Sequence, residues 1–214
     1  TKAGTEAGMK YFIVGSVASG VGLYGLSMLY LWAGSLQFDA LAEQFLINGT
    51  DPLPLIAMGF VLVGFGFKVS AAPFHFAAPD AYAGASSPIA GILATASKAM
   101  GIIGLLRMLL IVASPEASED GTVWLTLLGV LSLVTMTWGN IAALGSTNPK
   151  RMLAYSSVAH AGYMLAAITA IGAWNWDPSL AGDAGESAVA VLTALMFHLI
   201  VLVAFKLGAF LVLS

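Results

Sequence analysis

The chain has 214 residues, 59% of them hydrophobic and 9% charged, with a mean hydropathy of +0.91 and a formal net charge of −3. Soluble domains carry about 25% charged residues, so this surface is not built for water and the chain reads as an integral membrane protein. The net charge argues against nucleic acid as a partner, and the lack of cysteine excludes disulfides, thiol catalysis and thiolate-held clusters.

A bilayer core of roughly 30 Å takes about 20 apolar residues in a helix. The first such stretch is Tyr11–Ala33, followed by a polar connection containing Asp39, Glu43 and Asn48-Gly49-Thr50-Asp51-Pro52. Leu53–Phe76 is the second and Ser87–Ala113 the third, separated by a short link with Asp80. A connection holding Glu116, Glu119 and Asp120 leads to Thr122–Gly145, and Lys150 and Arg151 precede Met152–Ala173. Asn175-Trp176-Asp177-Pro178 then breaks the chain, with Asp183 and Glu186 beyond it, before Ala188–Leu213. Backbone polar groups in lipid must be satisfied within the segment, so all six stretches are expected to be helical. Tyr11, Tyr30, Trp32, Trp124, Trp174 and Trp176 fall near span ends, where aromatic rings favour the interface.

Laying the connections alternately on two sides places Lys2, Lys10, Lys150 and Arg151 together and leaves no basic residue opposite. By the positive-inside rule, the N-terminal segment and the 146–151 connection are expected to be cytoplasmic. The start without an initiator Met and the uncharged apolar run up to Ser214 lead to the expectation of an internal piece of a longer protein.

The ionisable residues left inside the spans are Lys68, Lys98, Arg107, Lys206, His75, His160 and His198, with no Asp or Glu among them. Each costs about 2.5–3.5 kcal/mol on insertion scales, so such residues usually stay because they are used. Lys98 lies about 17 Å into its span and Lys68 about 23 Å from the outer side, at 1.5 Å per residue. Snorkelling to the interface is therefore excluded for Lys98; it remains open for Lys68, and it is the plain reading for Arg107, with Lys206 placed alongside it near its span end. Pro73 frees the carbonyl of Val69, next to Lys68, and breaks its helix; freed backbone at that depth needs protein or a water-filled cavity around it. The bland alternative is a simple kink.

A buried lysine suits proton handling because its hold on a proton responds to burial and to neighbouring charge. Lys68 and Lys98, with His198, His160, Lys206, His75 and the hydroxyls of Thr95 and Ser97, are candidates for a proton relay through ordered water. For each histidine the competing reading is a hydrogen-bonded packing residue. Metal ligation is not expected from three histidines on three spans without carboxylate or thiolate partners.

FGFKVSAAPFHFAAPDAYAGASSPIAGILATASKAMGIIGLLR (Phe65–Arg107) resembles the antiporter-like membrane subunits of respiratory complex I. The ATASK form around Lys98 and the PDAYAGA form are similar to the N subunit rather than to the L or M subunits. EAGMKYFIVGSVASGVGLYGLSMLY (Glu6–Tyr30) and GNIAALGSTNPKRMLAYSSVAHAGYMLAAI (Gly139–Ile168) agree, and LGAF (Leu207–Phe210) matches more loosely. The resemblance implies an all-α, polytopic membrane fold of fourteen helices in two inverted repeats, of which this chain looks like helices six to eleven. Residues 1–113 would close the first repeat and residues 114–214 open the second.

It further implies that Lys68 is the lysine of the broken seventh helix, Lys98 that of the eighth and His160 the histidine of the tenth, with Pro73 at the break. The family's carboxylate partner on helix five and its helix-twelve lysine match no residue here, and Glu6 belongs to a different motif. Lys206 stands where a small polar residue is more usual, and Ala77 and Ala83 replace larger or charged ones.

The function implied is proton translocation by a membrane-arm subunit of NADH-quinone oxidoreductase, coupled to quinone reduction elsewhere. No cofactor is expected on this chain, which has no dinucleotide fingerprint. Its partners would be other membrane subunits of the complex and the lipid bilayer, in the inner (plasma) membrane of a prokaryote. A subunit of a cation/proton antiporter or membrane-bound hydrogenase is the alternative of the same class; a purely structural membrane scaffold is the alternative of a different one.

Overall fold

A computed structural model describes residues 2–48, 51–112, 121–176 and 184–213. The carboxylates Glu116, Glu119, Asp120, Asp177 and Asp183 and the Gly49-Thr50 pair lie outside the described residues, as do the side chains of Trp174, Trp176 and Glu186. The described residues are all helical or irregular, with α1 (Lys2–Ala33), α2 (Phe38–Asn48), α3 (Pro52–Val69), α4 (Ala77–Gly84), α5 (Ser87–Ala94), α6 (Ala96–Val112), α7 (Gly121–Leu144), α8 (Pro149–Trp176) and α9 (Ala184–Val212). Six segments are long and apolar enough to cross a membrane: Gly4–Ala33, Pro52–Val69, Ser87–Leu109, Trp124–Leu144, Pro149–Ala173 and Ala188–Val212. All six expected spans are thus present.

One of them is broken near Pro73, as the sequence implies, and another is interrupted where no break was expected. The Leu53–Phe76 stretch stops being helical at Val69, where Ser70 adopts φ 60 and ψ 42 and the Ser70 and Ala71 amides bond back to Phe67 O and Gly66 O. This left-handed cap ends the helix three residues before Pro73. Phe74 then folds back so that a side chain at Gly66 would meet its ring at 2.5 Å. The Ser87–Ala113 stretch is also interrupted, between α5 and α6 at Thr95 (φ −120, ψ −80). That break carries no proline, and nothing in the pattern of residues marks it in advance.

The connection read as irregular between the first two spans contains α2. Its Leu41 and Phe45 are buried against the bundle, and Phe45 meets the Trp32 ring edge-on at 4.9 Å. The larger core joins residues of α2, α3 and α6 to α7, α8 and α9, including Leu41, Met58, Ile102, Leu128, Met164 and Leu202. A smaller one, rich in alanine, gathers Ala78, Tyr82, Ala90, Ala94, Ala154 and Phe210.

Helices α7 and α8 cross with their backbones almost touching. A Cβ on Gly139 would lie 2.5 Å from the Ala159 amide, and one on Gly162 would lie 2.6 Å from that of Met136. Large apolar side chains such as Leu133, Trp138 and Ile141 on α7, or Phe197 and Ile200 on α9, face outward. Outward apolar faces are what a bilayer accepts.

Candidate functional site

Helix α8 is the spine of the site. Leu153, Ser156, Ser157 and His160 recur at helical spacing, so they share one face. Three side chains from other helices reach that face. Lys98 of α6, fully buried, donates to the Ser157 carbonyl at 2.9 Å. Lys206 of α9, also fully buried, donates to Ser156 Oγ at 2.7 Å and to Leu153 O at 3.2 Å. Higher along the helix, His160 Nδ1 lies 3.3 Å from His198 Nε2, with ring centroids 5.2 Å apart.

Burying an ammonium is costly unless polar groups replace its water. Here the replacement is helix carbonyls and a serine hydroxyl, since no carboxylate reaches either lysine among the described residues. The histidine pair has its own constraint. One ring nitrogen must carry the hydrogen and the other accept it, so two fully protonated rings would oppose N–H to N–H and break the contact. The arrangement thus holds four protonatable groups on one helix face.

Lys206 is where the structure departs from the snorkelling expected beside Arg107. Its position near the span end suggested an ammonium reaching the interface, yet α9 turns it onto α8. Arg107 is exposed, with its guanidinium 4.6 Å from the Phe38 ring centroid, at the edge of the bundle. The two histidines read as separate by span are brought together, although no group of three metal-ligating side chains forms among the described residues.

The break before Lys98 is lined with hydroxyls. Thr95 Oγ1 donates to Gly91 O at 2.8 Å, Tyr82 donates to Leu93 O at 3.0 Å and Ser157 Oγ reaches Ala94 O at 3.4 Å. Carbonyls that an interrupted helix leaves short of partners are thereby satisfied inside the membrane. Thr95 therefore holds its own helix turn, while Ser97 is half-buried and makes no hydrogen bond to the cluster among the described residues.

Lys68 stands apart from this stripe. It is exposed, lacks a hydrogen-bond or ion-pair partner among the described residues, and borders an open groove of about 390 Å³ with Tyr11, Ser16, Ser19 and Phe67. Gly101 of α6 brings the two lysine-bearing helices together, because a Cβ there would lie 3.1 Å from Lys68 Cγ and 2.9 Å from Val69. His75, just past Pro73, is buried, stacks on Phe76 at 4.9 Å and meets the edge of Trp138 at 6.2 Å; its Nδ1 has no hydrogen-bond partner.

A second polar cluster closes one end of the bundle. Asp80 accepts from Lys10 of α1 at 3.2 Å and from Arg151 of α8, and Lys10 also pairs with Glu6 at 2.7 Å. Lys150 reaches the Ala85 carbonyl at 3.3 Å. Partial burial works to raise the Asp80 pKa, but the hydrogen bonds and charges of Lys10 and Arg151 outweigh it and hold the carboxyl below its ordinary value of 3.8. The N-terminal segment, the Asp80 link and the 146–151 connection therefore meet at one end, as alternating sides required.

The whole chain, residues 1–214, matches the family described as NADH:quinone oxidoreductase/Mrp antiporter, transmembrane. The NADH-quinone oxidoreductase subunit N 2 of Roseiflexus castenholzii is 42% identical over 212 residues, 97% of this chain and 40% of that protein. Subunit N of Rubrobacter xylanophilus is 43% identical over 96% of this chain and 39% of its own length. The chain thus spans about 40% of these relatives. Among solved structures, a chain of respiratory complex I from Thermus thermophilus with bound aureothin superposes with a TM-score of 0.75 at 36% identity, over 100% of this chain and 41% of that one. The Mrp complex from Dietzia sp. shares the fold, with a TM-score of 0.77 at 22% identity over 98% and 35%.

Proposed function

The chain belongs to the NADH:quinone oxidoreductase/Mrp antiporter transmembrane family, and on that premise we propose that it moves protons across the membrane within an NADH-quinone oxidoreductase. The observation that carries this reading is the polar face of α8, where Lys98, Lys206 and the His160–His198 pair converge inside a helix bundle whose core is mainly apolar. A scaffold gains nothing from two lysines with no exposed surface and, among the described residues, no carboxylate paired with them.

In this reading Lys98 Nζ holds or releases a proton while Ser157 O keeps its position fixed. Lys206 stands one turn away, and the two imidazoles extend the relay because each has a nitrogen that can accept and one that can donate. Lys68, beside the α3 break, occupies a groove open to water or to a neighbouring segment, which suits a group that loads or unloads protons. Thr95 serves the helix break rather than the relay, Ser97 stands half-buried one residue before Lys98, and His75 offers an accepting Nδ1 near the first break. The redox chemistry belongs to other subunits, so no cofactor is assigned to this chain. The membrane is the inner membrane of a prokaryote, with the Lys10–Asp80–Arg151 end facing the cytoplasm, and the two repeats meet between residues 113 and 114. The Mrp-type antiporter reading shares the fold; the 42–43% identity to subunits named N favours the oxidoreductase.

The test is Lys98→Ala in the complete complex, sealed in vesicles, with proton uptake and quinone reduction measured together. A carrier of this kind contributes at least about a hundredfold to proton transfer, so pumping collapses while the complex still assembles. Pumping at the wild-type rate defeats the reading and leaves the scaffold.

A further inference from the structure

The segment after the α3 break contains a backbone donor that its own helix does not serve. Ser70 and Ala71 bond back to carbonyls of the last turn, and Pro73 has no N–H to place. Between them stands Ala72, which is buried, and whose amide would close onto the Lys68 carbonyl if α3 ran on. That amide instead donates at 3.0 Å to Thr135 Oγ1 of α7, 63 positions along the chain. Thr135 is fully buried near the middle of the Trp124–Leu144 span. Its own hydroxyl hydrogen goes to Leu131 O, one turn back, so the oxygen is left free to accept.

The same turn of α7 meets the far side of Pro73. Trp138, three residues beyond Thr135, faces the His75 ring edge-on at 6.2 Å. This part of α7 is itself pinned to α8. Ser132 donates to Gly162 O at 2.8 Å, and a Cβ on Gly162 would lie 2.6 Å from the Met136 amide. We propose that Thr135 is a positioning residue: by taking the amide that would otherwise return to Lys68, it seats the α3 break in one geometry against α7, with Lys68 on one side and His75 on the other. The inference rests on the proton-moving reading of the chain and adds the group that holds the open helix end in place. A buried amide without an acceptor is costly, so an acceptor supplied by a neighbouring helix decides which path the freed backbone takes.

The experiment uses the complete complex with Thr135→Val, which nearly keeps the shape and removes the acceptor, and Thr135→Ser, which keeps the oxygen. Thr169→Val is the control, because the Thr169 hydroxyl bonds Leu165 O of its own helix at 2.9 Å, away from the break. Amide hydrogen exchange of residues 70–76 is read without turnover, and protons pumped per quinone reduced are read in sealed vesicles. In Thr135→Val, exchange is expected to speed up at least about fivefold, the lower end of what a buried donor left without a partner represents. Protons pumped per quinone fall severalfold in the same variant. Thr135→Ser restores both readouts, and Thr169→Val moves neither.

Wild-type exchange in Thr135→Val overturns the clamp, whatever pumping does. Faster exchange with an unchanged proton yield overturns the positioning role. A Thr135→Ser complex as defective as Thr135→Val shows that the methyl group matters and the oxygen does not, which also defeats it. The unsubstituted complex gives an independent reading: the Ala72 amide is expected to exchange as slowly as those within α3, and exchange at the rate of an open loop overturns the bond by itself. If Lys98→Ala pumps normally, the proton reading fails alone, while the exchange data still decide whether Thr135 holds the break.

Discussion

Lys206 on α9 and Ser156 on α8 are tied by a 2.7 Å hydrogen bond that joins a fully buried ammonium to a half-buried hydroxyl. Replacing Lys206 by Met keeps most of the volume and removes the ammonium. The buried charge is a burden on folding, so assembly and thermal stability of the complex are expected to hold or improve. Proton pumping is expected to fall severalfold, and Ser156→Ala to produce a smaller loss in the same direction. Vesicle pumping at the wild-type rate in Lys206→Met would mean that this lysine is only a tolerated structural charge.

The α7–α8 crossing makes a different kind of prediction. Gly139→Ala and Gly162→Ala each place a methyl group within 2.6 Å of a facing backbone amide nitrogen, and backbone cannot swing aside. Each is expected to cost about 1–3 kcal/mol, the usual cost of overpacking. Gly8→Ala, which meets nothing within 4 Å, is the matched control. Thermal unfolding of the purified complex should separate the two crossing variants from that control.

Asp80 carries the pH dependence. Its folded-state pKa lies below the ordinary 3.8, so its bonds to Lys10 and Arg151 add stability that is fully present above that value. The contribution is lost as pH falls through the lower, folded-state pKa. Asp80→Asn is expected to lower thermal stability at neutral pH and to flatten its decline in acid below about pH 4. Equal melting curves for the two proteins at pH 7 would show that the cluster contributes nothing.

Much of this architecture is legible in the sequence because the membrane imposes it. Apolar length gives the six spans, and basic residues alone sort the connections correctly enough that Lys10, Asp80 and Arg151 meet at one end. Lys98 is deep by simple counting and fully buried in the fold. The partners of these residues are less legible. Lys206 binds α8 because of the rotation of α9, and no local pattern reveals which face a uniformly apolar helix turns inward. The helix break at Thr95 has no proline or glycine at its centre; it depends on hydroxyls from Tyr82 and Ser157, 13 and 62 positions away by subtraction of their residue numbers. Helix α2, by contrast, had a signal: Phe38, Leu41 and Phe45 fall at helical spacing within a polar stretch.

The backbone contact between α7 and α8 has a mechanical meaning. With Gly139 and Gly162 leaving no slack between them, those two helices can neither rotate about their axes nor slide without collision, and they act as a single stiff beam. The beam carries Ser156, Ser157 and His160 as fixed stations. Whatever shifts during a cycle of work must come from the elements that visit it: the hinged α5–α6 segment bearing Lys98, and α9 bearing His198 and Lys206.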